Sequence, residues 1–139
     1  MSVQIRPRSL TIKTINNMCT ITKECPVLQT AEQDIFVYKI VFPIRNVFGN
    51  ILCITSLYSS FEYPLNEVVY SELDEFYFAN CGYVSGRAFY SYKYKGAKDV
   101  FRANALFIIP KGAKYYLCKD IDSGDYIYHS NQIKLIKLL

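Results

Sequence analysis

Residues 34–42 read D-I-F-V-Y-K-I-V-F, a nearly continuous apolar run in the first half of the chain. Its branched and aromatic side chains favour a β-strand. A strand that is apolar at almost every position is typical of one covered on both faces, so we expect this segment at the centre of a sheet. Pro43 lacks a backbone N–H, and we expect it to end the strand.

Other strand and turn signals are spread along the rest of the chain. Ala105–Ile109 predicts a buried strand, and Gln132–Leu138 predicts a strand with at least one buried face. Pro110-Lys111-Gly112 predicts a turn with Pro110 at its first central position, and Asp122–Asp125 predicts a hairpin turn. Gly49-Asn50 predicts a second tight hairpin turn. The remaining strand candidates are residues 9–15, 18–22, 51–58, 68–70, 75–78, 89–94, 115–121 and 126–128.

Composition points to one β-rich domain. The 139 residues are 51% hydrophobic, and 13 Tyr and 9 Phe favour strands over helices. Only residues 97–103 place apolar side chains at helical spacing. We therefore predict a single α+β domain over residues 1–139, with about seven to nine mostly antiparallel strands and one short helix near 97–103. We expect residues 1–30 to form a peripheral N-terminal strand segment.

Membrane, metal and cofactor functions find no support in the sequence. No run of about 20 apolar residues exists, so we expect no membrane-spanning segment and no membrane partner. The five cysteines are widely and irregularly spaced, which favours free thiols over a metal site or disulfides. Carboxylates at Glu72, Asp74 and Glu75 could bind a hard cation, but a solvated turn is the simpler interpretation. We expect neither a metal nor a cofactor.

Catalytic motifs are also sparse. The chain contains neither a G-x-x-x-x-G-K-[ST] loop nor a G-x-G-x-x-G motif. Its only histidine, His129, could face Cys118 across the last hairpin, which is the remaining candidate for a catalytic pair. The sequence leans against an enzyme without deciding the question.

Residues 88–96 read A-F-Y-S-Y-K-Y-K-G, in which tyrosines alternate with other residues and two lysines. In a strand, the three tyrosines would lie on one face, and Lys93 and Lys95 on the other. The tyrosine rings that could stack on bases and the lysines that could contact phosphates would then lie on opposite faces of the strand. We therefore expect a half-buried tyrosine face and no nucleic-acid partner.

The turn at Pro110-Lys111-Gly112 fixes where nearby basic and aromatic side chains point, because a proline and a glycine restrict its geometry. Lysines beside tyrosines suit a small anionic ligand or a protein partner. The predicted binding residues are Tyr90, Tyr92, Lys111, Lys114 and Tyr115.

Charge is unevenly distributed along the chain. Residues 46–86 contain five acidic and no basic side chains, whereas residues 87–139 contain ten basic and four acidic ones. These regions could neutralise each other within one fold or match between copies. The 22 aromatic residues exceed what one small core readily holds, so we predict a homo-oligomer.

The order of several motifs resembles a group of small bacteriophage and prophage proteins of Bacteroidetes hosts. The motifs are D-I-F-V-Y-K-I-V (34–41), G-Y-V-S-G-R-A-F-Y-S-Y (82–92), F-I-I-P-K-G-A-K-Y-Y (107–116) and Y-I-Y-H-S-N-Q-I-K-L-I (126–136). The resemblance covers residues 31–139. The group's G-F-H-S-[YF] motif has His where this chain has Tyr90. Tyrosine cannot replace a histidine general acid or base near neutral pH, because its pKa is near 10.

The phage resemblance implies a non-enzymatic accessory binding protein in the cytoplasm of the bacterial host. Its expected role is counter-defence, by binding a host protein or a nucleotide signal. The alternative is a structural component of the virion, such as a tail, head or connector protein. A looser similarity to ADP-ribosyltransferase folds implies an enzyme instead, but Ala105 lies near the late strand where those enzymes carry their catalytic acid.

Overall fold

The computed structural model describes residues 20–56, 61–79, 82–84, 86–95 and 103–139. These residues form strands and turns, and none of them lies in a helix. The described residues therefore contain no helix that is long and apolar enough to cross a membrane. The described strands are β1 (Ile21–Thr22), β2 (Gln29–Thr30), β3 (Ile35–Lys39), β4 (Val41–Arg45), β5 (Ile51–Ser56), β6 (Val68–Tyr70), β7 (Tyr77–Ala79), β8 (Gly82–Val84), β9 (Phe89–Tyr92), β10 (Ala105–Ile109), β11 (Lys114–Lys119), β12 (Tyr126–Ser130) and β13 (Gln132–Leu138).

The β-rich, mostly antiparallel fold class is confirmed, but two details differ from the prediction. The thirteen described strands exceed the expected number, because residues 34–42 form parts of two strands and because the short strands β2 and β8 carry too little pattern to be recognised. The helix predicted near 97–103 falls mainly on residues 97–102, and the strand predicted at 9–15 also lies outside the described residues. Ala103, the last residue of the predicted helix, is not helical.

The main sheet contains eight strands in the order β2-β11-β12-β9-β3-β10-β13-β6. Its ladders are antiparallel, but the central link between β9 and β3 consists of a single paired position, Tyr38 opposite Tyr92. The sheet therefore divides into a first half-sheet, β2-β11-β12-β9, and a second half-sheet, β3-β10-β13-β6.

Two short corners join the half-sheets at one end. Residues 110–113 connect β10 to β11, and Asn131 alone connects β12 to β13. Each link is too short to cross three intervening strands of a flat sheet, so the half-sheets must fold over each other. Asn131 is bonded to the residue that directly follows the other corner, Lys114 of β11: Asn131 N donates to Lys114 O at 3.1 Å, and Lys114 N donates to Asn131 Oδ1 at 2.9 Å.

The main core lies between the two half-sheets. Alternate residues of β10 and β13 point inward, as the two-residue period of a strand requires. Tyr63 packs edge-on against Phe107 with ring centroids 5.0 Å apart. The buried residues of this core are Ala31, Val37, Val41, Tyr63, Phe89, Ala105, Phe107, Ile109, Ala113, Tyr128, Ile133 and Leu135.

The opposite face of the first half-sheet is covered by a second layer. Strands β1, β8 and β7 form a small three-stranded sheet, and a separate cluster of Phe76, Tyr116 and Cys118 is buried on this side of the first half-sheet. The ring of Phe76 lies 5.0 Å from the ring of Tyr116 and 5.0 Å from that of His129. The first half-sheet is thus buried on both faces.

The segment at residues 34–42 is central, as predicted, but it is not one strand. β3 ends at Lys39 and β4 begins at Val41, because the side chain of Asn104 bonds to Val41. Asn104 Oδ1 accepts from Val41 N at 2.8 Å and its Nδ2 donates to Val41 O at 2.9 Å, which turns the chain out of the main sheet.

Two further expectations about this segment were wrong. Phe36 is 58% exposed, so β3 is buried on one face only. Pro43 lies inside β4 rather than ending a strand. β4 and β5 form a separate two-stranded sheet, and Thr55 of β5 makes one further bridge, to Glu62. An edge strand tolerates proline, because no neighbouring strand needs the missing N–H.

The turn at residues 110–113 has glycine where the sequence requires it, but Pro110 sits one position earlier than predicted. Pro110 O accepts from Ala113 N at 3.0 Å, which makes Pro110 the first corner and leaves Lys111 and Gly112 as the central residues. Gly112 has φ +91°, the value that a type II turn requires at its second central position. Gly112 N also donates to Ala31 O at 2.9 Å.

Replacing Gly112 by valine is expected to lower the free energy of unfolding by about 1–3 kcal/mol, through backbone strain at a positive φ. No heavy atom lies within 4 Å of the position that a Cβ would take, so the cost comes from the backbone and not from a clash. Urea denaturation measures it. Lys111→Val, in the same exposed turn, is the control and should change stability by less than about 0.5 kcal/mol. Equal stability of the two variants would mean that the turn does not need a glycine at position 112.

Candidate binding site

Three of the five predicted binding residues lie together at one edge of the first half-sheet. Lys111 is exposed in the corner, and Lys114 and Tyr115 begin β11. Lys114 Nζ donates to Thr30 Oγ1 at 2.7 Å, and Tyr115 OH donates to Gln29 Oε1 at 3.1 Å. Both side chains therefore hold the short strand β2 in place.

The other two predicted residues lie two strands away, on β9. Tyr90 stacks on His129 with ring centroids 4.2 Å apart, and its hydroxyl donates to Gly86 O at 2.7 Å. Tyr92 is half-buried at the single bridge with Tyr38. The structure thus separates Tyr90 and Tyr92 from the lysines with which the sequence grouped them.

A different group of lysine and tyrosine side chains meets at the far end of the first half-sheet. β9 ends at Tyr92, and the chain then bends, so the strand alternation does not continue through Lys93 and Tyr94. Lys93 Nζ lies 5.5 Å from the ring centroid of Tyr94 and 5.5 Å from that of Tyr126. The expectation that Lys93 points away from the neighbouring tyrosines was wrong for Tyr94.

Lys119 completes this group from the adjacent strand. It is the register partner of Tyr126 across the last hairpin, and its Nζ lies 5.8 Å from the Tyr126 ring centroid. The rings of Tyr94 and Tyr126 are 6.3 Å apart and nearly perpendicular. Tyr94 is 57% exposed. We call Lys93, Tyr94, Lys119 and Tyr126 the lysine–tyrosine cluster.

The lysines of the lysine–tyrosine cluster form no close ion pair within the described residues. Within the described residues, neither lysine has a carboxylate within 4.0 Å of its Nζ, and the exposed Lys95 is also without such a partner. The nearby Asp120 is buried and already accepts hydrogen bonds from Ile21 N at 2.9 Å and Ser123 N at 3.0 Å. The cluster therefore offers two ammonium groups beside two exposed rings.

Two basic side chains are buried beneath the sheet surface and are inaccessible to a ligand. Lys39 donates to Tyr90 O, and burial lowers the pKa of its ammonium to about 8. His129 is fully buried, and neither ring nitrogen has a hydrogen-bond partner among the described residues. Burial, with a further contribution from the charge of Lys39, lowers the pKa of His129 to about 3.

The possible catalytic pair of Cys118 and His129 has unsuitable protonation properties. Both lie on the covered face of the first half-sheet, where Tyr116 is the register partner of His129. Burial raises the pKa of the Cys118 thiol to about 12, with Asp120 adding to the effect. A nucleophilic cysteine needs a lowered pKa and access to substrate, so this pair lacks both requirements.

Two of the three acidic residues that could have bound a cation, Glu72 and Asp74, form ion pairs with Arg87. Arg87 Nη1 lies 2.8 Å from Glu72 Oε1, and Arg87 Nε lies 3.5 Å from Asp74 Oδ2. Across the described parts of the chain, no group of three His, Cys, Asp or Glu side chains is arranged to hold a metal ion. Arg87 also neutralises part of the acidic region within the fold.

Sequence reasoning missed Lys119 and Tyr126 as candidate binding residues, although a signal for them was present. The hairpin was predicted around Asp122–Asp125, and Lys119 and Tyr126 flank it. Counting outward from that turn pairs Tyr126 with Ile121, whereas the structure pairs it with Lys119, so the sequence placed the two side chains near each other but not opposite. The contribution of Lys93 could not be found in this way, because it depends on the end of β9 at Tyr92.

Comparisons with known proteins returned nothing: no family model, no curated protein and no solved structure matches this chain. The candidate site therefore rests on its own geometry.

Stability is expected to fall as the pH drops from about 6.5 towards about 3, because of His129. Its folded-state pKa is about 3 against an ordinary value of 6.5. Between these values the unfolded chain binds the proton and the native chain does not, so acid favours unfolding by up to about 1.4 kcal/mol per pH unit.

The variant His129→Phe isolates this effect, since it keeps a flat ring between Tyr90 and Phe76 and removes the titrating group. The quantity to measure is the difference in unfolding free energy between variant and wild type, by urea denaturation at several pH values. We expect the variant to gain stability relative to wild type as the pH falls below 6.5. A difference that stays constant with pH would refute the linkage.

Proposed function

We propose that this is a non-enzymatic binding protein that takes up a small anionic ligand carrying an aromatic ring, of the nucleotide class, at the lysine–tyrosine cluster. The observation that carries the proposal is the pair of ammonium groups, from Lys93 and Lys119, that lie within 5.8 Å of the exposed Tyr126 ring without a carboxylate partner among the described residues.

The chemistry of the cluster suits both parts of such a ligand. Exposed rings of Tyr94 and Tyr126 provide faces and edges on which a base can stack. The ammonium groups provide donors and positive charge for a phosphate. Their contacts with the rings contribute only about 0.5–1 kcal/mol each at an exposed site, so a phosphate can compete for the lysines.

The size of the cluster favours a small ligand over a nucleic-acid strand. A strand needs a positively charged groove that follows its backbone over several nucleotides. Here the two lysines both contact the ring of Tyr126. Arg87, another basic side chain near β9, is neutralised by Glu72 and Asp74. The local charge therefore suits one or two phosphate groups.

The resemblance to phage proteins supplies the biological setting of the proposal. A phage accessory protein that acts in the cytoplasm of the bacterial host could sequester a nucleotide signal and thereby oppose host defence.

The competing assignment is a virion component, and finding the protein at fixed stoichiometry in purified virions would favour it. The ADP-ribosyltransferase alternative is weakened by the full burial of Ala105 in β10, and NAD turnover would revive it.

Isothermal titration with a panel of nucleoside phosphates and cyclic dinucleotides tests the proposed site. At least one compound is expected to bind, and Lys93→Ala with Lys119→Ala should weaken it by about tenfold or more per lysine. Binding should also weaken as salt is raised, because the site is exposed. Stability should be nearly unchanged, since both side chains reach the surface.

The matched control is the double variant Lys111→Ala, Lys114→Ala, which removes the same charge from the opposite end of the sheet. We expect it to retain wild-type affinity. Loss of binding in this control, with affinity retained in the Lys93 and Lys119 variant, would move the site to the residues predicted from sequence. Failure of every nucleotide in the panel to bind would reject the proposed ligand class.

A further inference from the structure

The hairpin formed by β4 and β5 extends from the main sheet with apolar side chains on its surface. We call residues Val41–Ser56 the arm. Both edges are fixed near its base: Asn104 bonds to Val41 on one side, and Tyr63 N donates to Ile54 O at 2.8 Å on the other. Beyond that base, the exposed apolar residues are Phe42, Ile44, Val47, Phe48, Ile51 and Leu52.

The two most exposed of these residues sit at the tip, where the turn does not require them. Asn46 O accepts from Gly49 N at 3.0 Å, and Asn46 Oδ1 accepts from Phe48 N at 2.9 Å and Asn50 N at 3.1 Å. Gly49 supplies the positive φ of +85°. Val47 and Phe48 are 94% and 85% exposed at positions where turns usually carry polar residues.

The edges of the arm are poorly suited to accepting another strand. Tyr63 bonds to Ile54 from outside the hairpin, and Pro43 is the partner of Ile54, so the nitrogen of Pro43 faces the outer edge of β4 without a hydrogen to donate. The register of β5 slips at Leu52, which leaves that residue as a bulge. Both features block edge-to-edge pairing, so any contact must use the side-chain face.

We propose that the arm is a dimerisation element, which packs its exposed face against the arm of a second copy of this chain around a two-fold axis. The face consists of Phe42, Ile44 and Cys53, with Val47 and Phe48 at the tip. From the exposed fractions of its side chains, this face measures on the order of several hundred Å². That is less than the about 800 Å² per partner of a stable complex, so we expect a dimer that dissociates on dilution.

Charge and stability both favour a second copy as the occupant. Arg45 is the only charged residue of the arm, and its Nη1 donates to Gly49 O at 2.8 Å within the same hairpin. Two arms therefore meet with little repulsion, whereas a charged partner would find no complementary group. An isolated two-stranded hairpin is marginally stable in water. The arm of a second copy would stabilise this hairpin by covering its exposed apolar face.

Sedimentation velocity over a wide range of protein concentration tests the proposal. The wild-type chain is expected to form a dimer that dissociates on dilution. Val47→Ser with Phe48→Ser should raise the dimer dissociation constant by at least about a hundredfold, because apolar burial is lost from both copies. The control Tyr70→Ser removes a side chain that is 71% exposed outside the arm and should leave the dimer unchanged.

Cross-linking with a short bis-maleimide tests the arrangement of the two arms. A covalent dimer is expected to persist in Cys25→Ser and to disappear in Cys53→Ser, since Cys53 lies on the proposed face. A wild-type chain that remains monomeric at high concentration would overturn the proposal, as would a dimer that the tip variant leaves intact. Nucleotide binding by the tip variant is measured separately, so failure of the dimer does not decide the proposed ligand site.

Discussion

Asn131 and Lys114 share two hydrogen bonds at the end of the β11–β12 ladder, where the two corners that join the half-sheets lie side by side. The arrangement of both half-sheets depends on these corners. Asn131 is the whole link between β12 and β13, while Lys114 directly follows the turn that links β10 to β11. Two chain reversals that join different half-sheets therefore meet at one point. Among the described residues, the ladder contact between the halves is the single bridge of Tyr38 and Tyr92, so the corners hold the halves around the core.

The corners also determine where the two candidate binding surfaces lie. β11 and β12 leave the corners side by side and end at the hairpin turn that carries Lys119 and Tyr126. Burial of the first half-sheet on both faces makes this hairpin a firm support for the exposed lysine–tyrosine cluster. The arm, in contrast, leaves the main sheet at Ile40 and contacts it mainly at its base. The lysine–tyrosine cluster thus lies on the main sheet, and the arm projects from that sheet.

Local pattern was sufficient to predict the β-rich class, the central position of residues 35–39 and the presence of turns near Gly49 and Gly112, although both turns begin earlier in the chain than predicted. It could not predict the break at Ile40, because that break is made by Asn104, a residue more than sixty positions away. The division into half-sheets was equally hidden, since the sequence predicts strands at 126–128 and 132–138 but not which strands they pair with.

The dependence on long-range pairing also explains why the sequence did not group the residues of the candidate site correctly. The alternation of tyrosine and lysine after Phe89 predicts opposite faces only while the strand continues, and β9 stops at Tyr92. The lysine and tyrosine that complete the cluster, Lys119 and Tyr126, come from a hairpin whose position relative to β9 is set by the sheet order. Residue types were visible in the sequence, but their association depends on long-range pairing.

Native-state hydrogen exchange at increasing urea concentration tests most directly whether the two corners lock the half-sheets into one cooperative frame. The amide hydrogens to follow are those of Lys114 and Asn131, which bond these two residues to each other beside the corners. We expect both to exchange only through global unfolding, with the free energy and urea dependence of the most protected core amides. Exchange of both through a low-energy local opening, while β10 and β12 stay protected, would contradict a frame locked at the corners.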